Sequence, residues 1–140
     1  GDSIGERVIM IADDSTVARN QVKRALEPLG LNMLLAKNGQ DALTRLLALA
    51  ENCNSSITEK VALLISDIEM PEMDGYTLTT TVRGDDNMKG LHIILHTSLS
   101  GVFNQNMVQK VGADDFIAKF NPDVLASKVA ERIQVVKGAG

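Results

Sequence analysis

An open α/β fold, a five-stranded parallel sheet with helices on both faces, is predicted by three observations in this 140-residue chain. Short apolar runs alternate five times with segments whose apolar residues recur at helical spacing. The runs are strand-length and the segments between them are long enough for crossover helices. Two of the runs, Val8–Ala12 and residues 61–66, lead straight into aspartate, which places acid at the C-terminal edge of the sheet, where open α/β folds carry their chemistry.

The elements follow in order. After the first run, Asp14-Ser15-Thr16 supplies helix N-cap chemistry, and Ala18, Val22, Ala25, Leu26 and Leu29 mark a helix that Gly30 ends. Residues 32–36 form the second strand, and Asn38-Gly39 turns the chain into a helix carrying Ala42, Leu43, Leu46, Leu47 and Leu49. The polar stretch 51–60 reads as the longest and most mobile loop. Residues 61–66 are the third strand, and a helix from about Tyr76 to Arg83 stops at Gly84-Asp85-Asp86. His92 to His96 is the fourth strand, Phe103, Met107 and Val111 mark the next helix, and Asp115 to Ala118 is a very short fifth strand. Leu125, Val129, Ile133 and Val136 stripe the last helix.

Composition narrows the function. One core fits this length, and with three Phe, one Tyr and no Trp it must be aliphatic. A net charge of −4 without a basic cluster argues against nucleic acid or an anionic membrane as partner. No apolar run is long enough to span a bilayer, and no secretory signal pattern opens the chain. The lone Cys53 fits a reducing cytoplasm. Gly1 and the closing Gly138-Ala139-Gly140 read as expression remnants or linker. The domain is accordingly expected over residues 7–136, with 1–6 and 137–140 outside it.

Right-handed crossovers put all strand ends on one edge, so Asp13, Asp14, Asp67, Thr97 and Lys119 should converge although they span the chain. Two carboxylates about 4 Å apart repel by roughly 4 kcal/mol at an effective dielectric near 20, so a shared cleft calls for a counter-charge. Mg²⁺ suits such oxygen ligands. Asp13 and Asp14 then read as ligands or their supports, and Asp67 as ligand and nucleophile together, attacking phosphorus to give an acyl phosphate. Lys119 offers a cation, Thr97 a hydroxyl and Ser98 a backbone N–H to the phosphoryl oxygens.

Taken singly, each residue has an ordinary structural use: capping for the Asp pair, an Asx turn for Asp67, a strand-end hydroxyl for Thr97, surface charge for Lys119. The five together favour a site. His92 and His96 share a strand face without ligand partners and read as partly exposed strand-end residues, and Cys53 has no basic neighbour to make it reactive.

These residues resemble the receiver domains of bacterial two-component response regulators, over about Arg7 to Val136. The pattern is Asp13-Asp14, Asp67 followed by Met70-Pro71 and Asp74-Gly75, then Thr97 and Lys119. The resemblance implies a flavodoxin-like (βα)5 three-layer sandwich of strand order 2-1-3-4-5, for which the chemotaxis receiver is a standard example. Finer stretches, among them 67–75, His96-Thr97-Ser98-Leu99-Ser100-Gly101 and Ala118-Lys119-Phe120, are similar to the receivers of CheV-type chemotaxis coupling proteins. That likeness implies phosphorylation of Asp67 by a chemotaxis histidine kinase, with Mg²⁺ held by Asp13, Asp14, Asp67 and the Glu69 backbone carbonyl. Thr97 and Phe116 would be the switch pair, acting on the surface of the fourth helix, fifth strand and fifth helix. The domain would regulate chemoreceptor–kinase coupling or drain phosphoryl groups from the kinase. A CheW-like domain, not contained in these residues, would reach the chemoreceptors, and the protein would be cytoplasmic, at receptor arrays. Such a receiver is not an enzyme beyond its own phosphorylation and dephosphorylation.

Two departures stand out. Receivers commonly have proline after the lysine, with a cis bond; this chain has Phe120. A cis bond before a non-proline residue costs about 3–4 kcal/mol, so either a cis Lys119–Phe120 bond or a rearranged loop is expected. The switch aromatic, often Tyr, is Phe116 and lacks a hydroxyl. Glu69 and Leu99, flanking the acceptor, should tune water access and phosphoryl lifetime. Rival readings are a haloacid-dehalogenase-type phosphatase, which wants its nucleophile on the first strand, and flavodoxin, which wants a hydroxyl-rich loop where Asp13-Asp14 stands. A protein-interaction module that is never phosphorylated is the third.

Overall fold

The computed structural model of the chain describes residues 7–98, 105–119 and 121–139. Its elements run β1 (Val8–Ala12), α1 (Thr16–Leu26), β2 (Asn32–Ala36), α2 (Gly39–Ala50), β3 (Val61–Asp67), α3 (Gly75–Arg83), β4 (Ile93–Thr97), α4 (Gln105–Val111), β5 (Asp115–Ala118) and α5 (Pro122–Ala139). All pairings are parallel, in the order β2-β1-β3-β4-β5. The three-layer sandwich and strand order are those expected. Leu99, Gly101, Phe103 and Phe120 lie outside the described residues, as therefore does the Lys119–Phe120 bond; Val136 lies beyond the last described side chain.

β3 is central and every one of its seven residues is buried, which is why it reads as an unbroken apolar run. Alternation along the strands splits the aliphatic core into two layers. Met10, Leu64 and Leu95 pack with Leu46, Leu78 and Val108 beneath α2, α3 and α4. Ile9, Ile11 and Ile65 pack with Val22, Leu26, Leu125 and Val129 beneath α1 and α5. Truncation of a fully buried leucine in either layer removes about 2–5 kcal/mol.

Helices begin where side chains satisfy their free N–H groups. Ser15 accepts from the Ala18 amide at 3.2 Å, Asn38 from Asp41 at 2.7 Å and Asp74 from Thr77 at 2.7 Å. Pro28 sits in a 3-10 turn at Glu27–Leu29, so α1 closes at Leu26, before the expected Leu29, and Gly30 follows in the left-handed region at φ 70°.

The stretch 51–60 is more ordered than its polarity foretold. Ile57–Glu59 is a 3-10 turn with a reciprocal capping box between Ser56 and Glu59. Glu59 also accepts from the Asn54 and Ser55 amides, and those bonds hold its carboxyl down at about 2. Ile57 is fully buried, and its amide donates to Asn87 at 2.8 Å. One apolar anchor within a polar window escapes a composition reading. Ser56→Ala is expected to cost about 1 kcal/mol in urea unfolding; an unchanged midpoint would mean the box is ornamental.

Candidate functional site

Strand register brings the acidic residues together. Ala12 pairs with Ser66, Asp67 with His96 and Thr97 with Ala118, so the ends of β1, β3, β4 and β5 share one edge. Asp67 and Thr97 are the final residues of β3 and β4 rather than the first beyond them. Asp13, Asp67 and Thr97 are buried, at 2%, 6% and 2% exposure, while Asp14 is exposed.

Asp13, Asp14 and Asp67 each offer a carboxylate oxygen, all within 4.8 Å of one another. Lys119 enters from the end of β5, its Nζ 3.0 Å from Asp13 Oδ2 and 3.3 Å from Asp67 Oδ1. The Lys119 amide donates to the Thr97 carbonyl at 2.6 Å, which anchors the base of that side chain to β4. Burial opposes the ammonium charge, but the two carboxylates outweigh it and hold the Lys119 pKa above its ordinary value. Burial, with Asp13 adding repulsion, pushes Asp67 up to about 6 despite Lys119 and the 2.9 Å bond from the Ile68 amide. Two of the three clustered carboxylates, Asp13 and Asp67, therefore share one ammonium, and the cluster carries more negative than positive charge.

The backbone around the acids is held by close contacts. Asp13 Oδ1 accepts from the Ser15 amide at 2.9 Å, and Arg19 Nη1 donates to the Asp13 carbonyl at 2.5 Å. Gly75 opens α3 against the acceptor: an added Cβ would lie 2.2 Å from the Asp67 carbonyl oxygen. At Gly39 a Cβ would lie 2.1 Å from the Met73 carbonyl oxygen, so α2 presses on the loop after β3. Within that loop Glu72 adopts φ 71°, alone among the described non-glycine residues. Glu69, Met70 and Pro71 line a cleft with Asp14, Asp74 and Tyr76. The positioning roles of Arg19 and Gly39 have no local signal in the sequence, since each acts through a contact made by the fold.

His96 corrects an expectation. It lies near the end of β4 but is buried at 7% exposure rather than partly exposed, on the face toward α1 and α5. Burial first, then Lys119, lowers its pKa to about 4, so the ring is neutral at pH 7. His92 is half-buried, its Nδ1 3.6 Å from Asp114. Phe116 is half-buried and packs against the core layer under α2, α3 and α4, pairing with Leu95, two pairs along from Thr97 in β4–β5 register.

The donor set fits a hard divalent cation. It is all oxygen, it carries excess negative charge, and Asp13 Oδ2 is a buried atom that, among the described residues, faces the Lys119 ammonium at 3.0 Å.

Comparison with known proteins agrees with this geometry. The profile of the response regulator receiver domain matches residues 9–130. The chain is 26% identical over 126 residues to the chemotaxis protein CheV3 of Helicobacter pylori, covering 90% of this chain and 40% of that protein. It thus spans less than half the length of the CheV relatives it matches. It is 33% identical over 132 residues to the chemotaxis protein CheY1 of the same species, covering 93% of this chain and 96% of CheY1. Among solved structures, the signal receiver domain of a signal transduction histidine kinase from Syntrophus aciditrophicus superposes with TM-score 0.78 at 35% identity, covering 94% and 92% of the two chains.

Proposed function

This chain belongs to the response regulator receiver domain family, and from that premise we propose that Asp67 accepts a phosphoryl group from a kinase phosphohistidine in bacterial chemotaxis. We take residues 7–136 as the extent of the domain. The observation that carries the reading is the single ammonium of Lys119 shared between Asp13 and Asp67 at the sheet's C-terminal edge.

Asp67 is the nucleophile because it ends the central strand and keeps one carboxylate oxygen for Ile68 and Lys119. Its other oxygen forms the O–P bond as the N–P bond of the phosphohistidine breaks, and the electron pair returns to the imidazole nitrogen. Lys119 leaves the carboxylates for a phosphoryl oxygen, and the Thr97 hydroxyl donates to another. Asp13, Asp14, Asp67 and the Glu69 backbone carbonyl would hold Mg²⁺, which when bound neutralises charge on the transferring group. Added charge of about −1.5 to −2 then draws Thr97 and Lys119 inward and frees space for Phe116. The readout surface is that of α4, β5 and α5. Partner kinase and CheV-like coupling to chemoreceptors at cytoplasmic arrays follow by likeness to CheV and CheY relatives. Catalysis is confined to the domain's own phosphorylation and dephosphorylation.

Intact mass after incubation with Mg²⁺ and acetyl phosphate tests this. One phosphoryl group should be gained by the native chain and none without Mg²⁺. No gain would leave a protein-interaction module that is never phosphorylated. Separately, Lys119→Met should raise the Asp67 pKa beyond about 6, because the ammonium opposes burial there. A carboxyl-¹³C titration showing a lower value would contradict the charge balance.

A further inference from the structure

Asp13 follows the last residue of β1, and each of its polar groups has its own partner. Its amide donates to the Ala36 carbonyl at 3.1 Å, and its Oδ1 accepts from the Ser15 amide at 2.9 Å. Its carbonyl accepts from Arg19 Nη1 at 2.5 Å, and Nη2 of the same guanidinium donates to Thr16 Oγ1 at 3.0 Å. Oδ2 is left facing the Lys119 ammonium at 3.0 Å.

A planar guanidinium holds two acceptors at a fixed angle. Arg19, half-buried in α1, therefore ties the peptide after β1 to the first residue of its own helix. With amide, carbonyl and Oδ1 all held, the Asp13 carboxylate keeps one orientation, and Oδ2 is the atom turned to the cluster. Charge and geometry give Arg19 opposite effects there. As a cation close to three carboxylates, it opposes the entry of another cation. As a support for one of the oxygen donors, it assists, since partners that orient metal ligands are worth ten- to hundredfold in affinity. Both of its bonds go to neutral oxygens, a carbonyl and a hydroxyl, and neither goes to a carboxylate. The arrangement fixes geometry rather than neutralising charge.

We infer that Arg19 is a positioning residue for Mg²⁺, raising its affinity through Asp13 despite carrying a like charge; this deepens the acceptor-site reading above and rests on it. Thr16 serves the same end by holding the far side of the fork.

Mg²⁺ titrated into metal-free ¹⁵N-labelled protein, followed by amide shifts, tests the assignment. Arg19→Met should weaken Mg²⁺ about tenfold although it removes a cation from beside the acids. Arg19→Lys keeps the charge without the fork and should weaken it about threefold or more. Thr16→Val should weaken it by less than Arg19→Met does, and should add nothing when combined with that change. In EDTA, with no metal bound, the Ser15 amide should exchange with solvent faster in Arg19→Met than in the native chain. Equal or tighter Mg²⁺ binding by Arg19→Met, native affinity in Arg19→Lys, additive losses in the double variant or unchanged Ser15 exchange would each overturn the role of Arg19 alone. A native chain that binds no Mg²⁺ would overturn the metal reading itself and this inference with it. Arg19→Lys and Thr16→Val keep the charge and remain readable even if Arg19→Met folds poorly.

Discussion

Asp67→Asn should make the metal-free protein more stable above about pH 6, by about 1–3 kcal/mol, and no more stable below the ordinary carboxylate value of 3.8. Burial, reinforced by Asp13, raises the folded-state pKa to about 6. Folded protein therefore holds this proton more tightly than unfolded protein does. The stabilisation of the neutral acid is complete below 3.8 and is lost as pH rises through about 6, where folding must accommodate an unwanted charge. Asparagine is neutral throughout, so the variant keeps what the native chain loses. The lower end of the range allows for the Lys119 contact that asparagine forfeits. Urea unfolding in EDTA between pH 4 and 8 reads this directly. A variant destabilised at pH 8 would mean the Lys119 pair outweighs burial.

Arg83→Met should cost about 2–4 kcal/mol although Arg83 lies away from the Asp13, Asp14 and Asp67 cluster. Its guanidinium closes the opposite edge of the sheet. Nε donates to the Gly112 carbonyl at 2.8 Å, Nη1 to Lys89 at 2.8 Å and Leu91 at 2.6 Å, and Nη2 to Asp114 at 2.8 Å. Asp114 in turn accepts from the Ile93 amide at 2.8 Å. One side chain thus ties the end of α3 to the entry of β4 and the turn before β5. Lysine has no planar fork, so Arg83→Lys should recover less than half of the loss in urea unfolding. Full recovery by lysine would reduce Arg83 to a simple charge.

Legibility in the sequence follows the range of the interaction. Strand ends are readable because an apolar run and the aspartate after it are neighbours in sequence, and Asp67 and Asp13 converge once crossovers share one hand. Ser15, Asn38 and Asp74 announce their helices from within three residues. The bonds of Arg83 to Gly112 and Asp114 cross 29 and 31 residues and leave no local trace. The contact of Gly39 with Met73 is hidden in the same way. His96 departs from its expected exposure because a histidine at a strand end is ordinarily solvated, and only the packing of α1 and α5 buries this one. Ile57 gives no signal because a single apolar residue has no period to reveal it.

Chemical trapping locates the phosphoryl group most directly. After reaction with Mg²⁺ and acetyl phosphate, borohydride reduces an aspartyl phosphate to homoserine, and peptide mass mapping reads its position. Homoserine at position 67, dependent on Mg²⁺, is the expected result. Homoserine at another aspartate, or phosphoryl gain with none at 67, would contradict the assignment of Asp67 as acceptor.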